Sequence, residues 1–176
     1  MANVKLTDKT ALEEQLGSGD LFMVVDVNDS TGSAQGTSKK FDTKYLIQTD
    51  KISISNAEYQ ALNSSPKTLV GALSGYMITV YSVNILCNIT VTAETSSNDL
   101  YLSYDSSSTS SYWRHIRDFM NNKSTDQSWS IVPDFPAGGT CSTSLLNKPF
   151  VMYSSGAFNG NLTLDVYVTY AYTKIL

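Results

Sequence analysis

The sequence predicts a mainly β protein: a small N-terminal α+β module followed by an antiparallel β-sandwich or jelly-roll-like domain, with one short helix. Three observations predict it. Ser and Thr supply 43 of the 176 residues while charged residues make up only 16%, and eleven Tyr add to the bias. Hydroxyl, β-branched and aromatic side chains favour strands and turns over surface helices, which draw on Glu, Lys, Gln and Ala. From Thr68 onward, apolar and polar residues alternate with period two in segment after segment. Turn signals recur roughly every ten residues, the spacing of a sandwich built from seven or so short strands.

The elements follow in order. Thr7 or Asp8 caps a helix of about two turns with Leu12 and Leu16 on one face, and Gly17 stops it. Leu21 to Val27 is the most hydrophobic segment; its apolar residues run continuously, as in a strand covered on both faces. Asn28 to Ser38 carries no apolar side chain larger than Ala and reads as a projecting loop. Lys39-Lys40-Phe41 resumes as a short strand, and Asp42 or Thr43 caps a helical turn holding Tyr45, Leu46 and Ile47. Ser55-Asn56-Ala57-Glu58 is a capping box that opens a short helix to about Leu62, where Asn63-Ser64-Ser65-Pro66 breaks it. The change of texture there places the module boundary, giving 1–66 and 67–176.

Beyond it, Met77 to Val83, Ile85 to Thr92, Leu100 to Tyr104, Ser128 to Val132, Phe150 to Ser154 and Asn161 to Leu176 read as strands. The last is the clearest, with Leu162, Leu164, Val166, Val168, Tyr170 and Tyr172 on one face. Tyr112 to Met120 interrupts the series: Tyr112 or Trp113, Ile116, Phe119 and Met120 fall at helical spacing, which predicts a short helix across a sheet.

Composition excludes several functions. A net charge of −4 with no basic cluster beyond Lys39-Lys40 lacks the footprint of a nucleic-acid binder. No apolar run approaches the roughly 18–20 residues that span a bilayer, and the N-terminus shows no apolar secretory segment. Cys87 and Cys141 are too few for a disulfide scaffold, and with His115 they cannot fill a four-ligand zinc site; both thiols read as buried and free. His115 is the only base of its kind, no G-x-S-x-G elbow is present, and the imidazole reads as lying on a helix surface. The aspartates fall mostly at strand ends and turns, as turn-formers do. Asp26-Val27-Asn28-Asp29-Ser30 begins like a calcium loop, but Thr31 replaces the turn Gly and Thr37 the bidentate Glu. The residues therefore imply no catalytic constellation, no cofactor and no metal.

Gly19 to Ile47 resembles a segment recurrent near the N-termini of bacteriophage virion proteins, particularly fibre and head- or tail-appendage proteins. The matching parts are Asp20-Leu21, Val24-Val25-Asp26, the loop through Thr31-Gly32-Ser33-Ala34-Gln35-Gly36-Thr37, Lys39-Lys40-Phe41 and Asp42-Thr43-Lys44-Tyr45-Leu46. Where the family usually has an aliphatic residue, this chain has Phe41. The resemblance implies an attachment or assembly module in a particle assembled in the host bacterial cytoplasm, with capsid or tail and portal proteins as partners. Its assembly interface would involve Leu21, Phe22, Val24, Val25, Lys39, Lys40, Phe41, Tyr45 and Leu46. The function so implied is a head fibre or auxiliary capsid subunit in a homo-oligomer, a trimer being favoured. The alternative is a tail fibre protein whose β domain binds host-surface glycans, with Trp113, Trp129 and Tyr153 as aromatic platforms. Neither reading calls for nucleic-acid or membrane binding.

Overall fold

A computed structural model of the chain describes residues 21–29, 31–32, 36–42, 46–104, 112–133 and 145–174. The chain divides into two compact units, Met1–Lys44 and Tyr45–Leu176. The expected helix around Leu12 and Leu16, the residue Tyr45, the segment Asp105 to Ser111 and Cys141 lie outside the described residues.

In the first unit, β1 (Leu21–Asp26) and β2 (Thr37–Asp42) form an antiparallel hairpin, with Leu21 opposite Asp42 and Asp26 opposite Thr37. Polar side chains tie down the connection between them. Asp26 accepts the Asn28 amide, Asp29 accepts the Thr31 amide and hydroxyl, and the Thr37 hydroxyl donates to the Asp29 carbonyl. The Lys39 ammonium lies 3.0 Å from Asp26 and 2.8 Å from Asp29. Asp26, Asp29 and Thr37 each supply a side-chain partner to a backbone group that lacks one in the ladder.

The second unit holds β3 (Gln48–Ile54), α1 (Asn56–Gln60), β4 (Lys67–Val70), β5 (Tyr76–Ile89), β6 (Leu100–Ser103), β7 (Tyr112–Ile116), β8 (Gln127–Ile131), β9 (Phe150–Ser154) and β10 (Leu162–Lys174). The strands make two four-stranded antiparallel sheets, ordered β3-β10-β5-β8 and β4-β9-β6-β7. Counted within this unit, the orders are 1-8-3-6 and 2-7-4-5, the two interlocked Greek keys of a jelly roll. One core joins the inner faces: Ile54, Val83, Ile85, Leu164 and Val166 from the first sheet meet Leu100, Leu102, Trp113, Phe150 and Met152 from the second. The strict alternation expected for Leu162 to Tyr170 is present, each even-numbered side chain buried. Cys87 belongs to this core, and burial pushes its thiol up to about 12.

Three boundaries differ from the sequence reading. Residue 66 does not divide the chain, because β3 pairs with β10 along its length and Ile54, Tyr59 and Leu62 are in the core; the division falls after Lys44. The two strands expected between Met77 and Thr92 are one, β5, continuous through Asn84 because β10 pairs with it from Ile89 back to Tyr76. A bulge between Thr169 and Tyr170 leaves Tyr81 without an opposite number, 44% exposed. The helix expected over Tyr112 to Met120 is instead β7 followed by a turn. Asp118, Met120 and Asn122 have φ of 48°, 63° and 55°, a left-handed region that no right-handed helix can include.

The helix at Ser55 forms as predicted: Ser55 and Glu58 satisfy each other's backbone amides, and Lys67 pairs with Glu58, holding its carboxyl at about 2. Behind α1 lies the one buried carboxylate among the described residues, Glu94. It accepts the Tyr59 hydroxyl at 2.9 Å and the amides of Ser96, Asn159 and Gly160 at 2.8–3.0 Å. Burial pushes its pKa up, but donors from Ser96, Gly160 and Tyr59 outweigh that and leave it below the ordinary value. The approach is so close that a Cβ on Gly160 would lie 2.9 Å from the Glu94 backbone. Glu94 thereby joins α1, the β5–β6 connection and the β9–β10 connection at one end of the sandwich.

Candidate functional site

Each sheet of a sandwich must end somewhere, and here β7 closes one and β8 the other. Between these edges lies a depression of about 320 Å³ lined by Arg114, His115, Ile116, Arg117, Trp129, Ser130, Ile131 and Val132. The register explains why polar and aromatic groups gather there. Trp129 and Ile131 pair with the core residues Ile85 and Val83, so they share the inward phase of β8. On β7, Arg114 pairs with Leu102 and Ile116 with Leu100, again inward, while a bulge at Trp113 lets that ring enter the core as well. A bulge re-aims the side chains beside it, and at an edge strand an inward-phased Arg faces the mouth of the sandwich rather than its centre.

Supporting contacts fix the groove. Trp129 packs against Phe119, ring centroids 4.9 Å apart and tilted by 43°. The His115 Nε2 lies 2.8 Å from the Asp99 carboxylate, which also accepts the Asp118 amide. Burial pushes the Asp99 carboxyl up, and the Asp118 amide and His115 draw it back below the usual value. The His115 ring stacks on Tyr101 at 4.7 Å, and Tyr101 stacks in turn on Tyr153 at 4.9 Å, a ladder across β7, β6 and β9. His115 is therefore a strand residue with a carboxylate partner, not a helix-surface imidazole.

Of the residues expected as glycan platforms, Trp129 alone lines the groove and is half-buried. Trp113 is 2% exposed with its ring edge-on to Phe150, a core residue that no saccharide can reach. Tyr153 is buried, one end of the stacked ladder. Sequence reasoning missed the two arginines as site residues, although they are the only Arg in the chain and share its only His as a neighbour. Of the expected assembly residues, Leu21, Phe22, Val24 and Val25 lie on β1, Lys39, Lys40 and Phe41 on β2, and Leu46 is exposed just before β3. Phe22 stands opposite Phe41 and Val24 opposite Lys39, and the charge of Lys39 is engaged within the hairpin by Asp26 and Asp29.

Among the described residues no group of His, Cys, Asp and Glu is arranged to hold a metal ion, and no helix is long and apolar enough to cross a membrane. No protein-family model matches the chain, and no curated protein matches it. Among solved structures, it is similar to a chain of a massively expanded equine rhinitis A virus particle, a picornavirus capsid. That likeness has 11% identity, covers 99% of this chain and 87% of the other, and has a TM-score of 0.28. At that score it carries no argument.

Proposed function

We propose that the chain is a non-enzymatic structural subunit of a bacteriophage particle. It would be a head fibre or auxiliary capsid subunit, attached through its N-terminal unit and working as a homo-oligomer, with a trimer the favoured symmetry. The observation that carries this reading is the 1-8-3-6 and 2-7-4-5 strand order, an architecture that serves viral capsids and lectins. A fold alone assigns no function; two further observations support this one. The segment Gly19 to Ile47 resembles virion attachment modules. The outer face of the first sheet is knit by hydroxyls, Thr49 to Thr169 at 3.0 Å and Thr79 to Thr173 at 2.8 Å, with Lys51 and Ser53 on Asp165. Such a face suits partly hydrated subunit contacts. Quantitative mass spectrometry of purified particles tests the proposal. Hundreds of copies per particle are expected for a capsid decoration; a dozen or fewer would move it to a collar or tail position, and absence from the particle would overturn it.

The groove at the sandwich mouth favours a second reading, in which the β domain of a tail appendage binds host-surface glycans. Trp129 would supply the aromatic platform.

A further inference from the structure

We propose that the groove between β7 and β8 binds an acidic saccharide, a sugar chain bearing carboxylate groups. This rests on the glycan-binding reading and narrows it to a ligand class. In a chain of 176 residues with net charge −4, the only two Arg and the only His line one depression beside one of the two Trp. Most of the cationic charge of the chain is Lys, yet among the described residues no lysine lines this groove. Guanidinium presents a planar fork that matches a carboxylate with two parallel hydrogen bonds, which a lysine ammonium cannot do. Arg117 is exposed and Arg114 half-buried.

The neighbouring carboxylate, Asp99, feels the charge of Arg117 but takes its hydrogen bonds from other groups. Asp99 takes His115 and the Asp118 amide, which anchors the imidazole and steadies the wall of the groove. Trp129, backed by Phe119, offers an apolar ring surface in a lining that also holds the polar Arg114 and Arg117. A pyranose ring needs that pairing of apolar face and polar rim. The volume of about 320 Å³ stands at the small end of the roughly 300–1,000 Å³ typical of small-molecule sites, room for a sugar or two rather than a folded partner.

The test is titration of the full chain with sialyllactose and with a galacturonic acid oligomer, with lactose and an oligoglutamate peptide alongside, followed by calorimetry and by Trp fluorescence. The expected result is saturable binding of at least one acidic sugar that weakens with added salt. It should fall at least tenfold in Arg117→Ala and be partly retained in Arg117→Lys, which keeps the charge without the fork. Because Arg117 is exposed, both variants should keep the wild-type melting transition. Equal binding of lactose, unaffected by Arg117→Ala, would overturn the acidic ligand class while leaving a glycan site standing. Oligoglutamate binding as tightly as the sugars would make this a site for acidic peptides, and overturn the proposal. If no sugar binds, both the proposal and the glycan reading fall.

Discussion

Glu94 shows how much one side chain decides. A carboxylate out of contact with water is costly unless every lone pair is used, and here four donors from three chain segments converge on it. Glu94→Gln preserves the shape but turns an acceptor into an amide that repels the amides facing it. We expect a loss of about 2–4 kcal/mol in urea denaturation, enough to lower the melting temperature by roughly 5–15 °C at this size. The pH dependence has a definite sign. The folded carboxyl titrates below its unfolded value of 4.5, so its contribution is complete above that value and lost as pH falls through the folded one. Glu94→Gln should therefore flatten the stability profile below about pH 5, measured by denaturation from pH 7 to 3; an unchanged acid slope would show that Glu94 is not the group responsible. None of this was legible beforehand. Thr92-Ala93-Glu94 carries little local signal, since three of the four donors, from Tyr59, Asn159 and Gly160, come from segments distant in sequence, whereas the Ser55–Glu58 capping box was legible because both partners lie within one turn.

At the scale of elements, β7 is the informative failure. The i, i+3, i+4 recurrence of Trp113, Ile116, Phe119 and Met120 imitates a helix face, but the structure reaches the same inward set by different means. A bulge turns Trp113 inward, Ile116 follows at strand spacing, and a turn with three left-handed residues carries Phe119 and Met120 under the sheet. Periodicity reports which side chains are buried, not the dihedral angles that bury them. The consequence is testable. Trp113→Ala should cost about 3–5 kcal/mol as a core truncation, seen as a large fall in the urea midpoint. A Trp113→Ala protein of near wild-type stability would contradict its place in the core. Strands with clean alternation were legible, β10 above all; β3 was not, because Gln48-Thr49-Asp50-Lys51 shows a polar run and only Ile52 and Ile54 mark its inner side.

For the molecule as a whole, the position of the division matters more than the number of strands. Cutting at residue 66 would remove β3 and α1, and with them Ile54, Tyr59 and Leu62, each at most 1% exposed. A fragment of residues 45–176 should unfold in one cooperative transition, whereas 67–176 should lack one, as followed by near-ultraviolet circular dichroism during a thermal scan; cooperative melting of the shorter piece would restore the earlier boundary. The β-sandwich class was legible because composition and alternation are properties of the whole chain, while the pairing of Gln48–Ile54 with Leu164–Tyr170 joins segments more than a hundred residues apart and leaves no local trace. That pairing also governs the order of events during synthesis. The strand that bridges β3 and β5 is β10, and the one that bridges β4 and β6 is β9, so both sheets have their centres made last by the ribosome. The earlier strands emerge with their edges open and must wait, a state in which they are exposed to pairing with other nascent chains. The protein can complete its fold only after translation has passed Lys174, and slow, chaperone-sensitive maturation is the expected cost of threading the keystone strands in at the end.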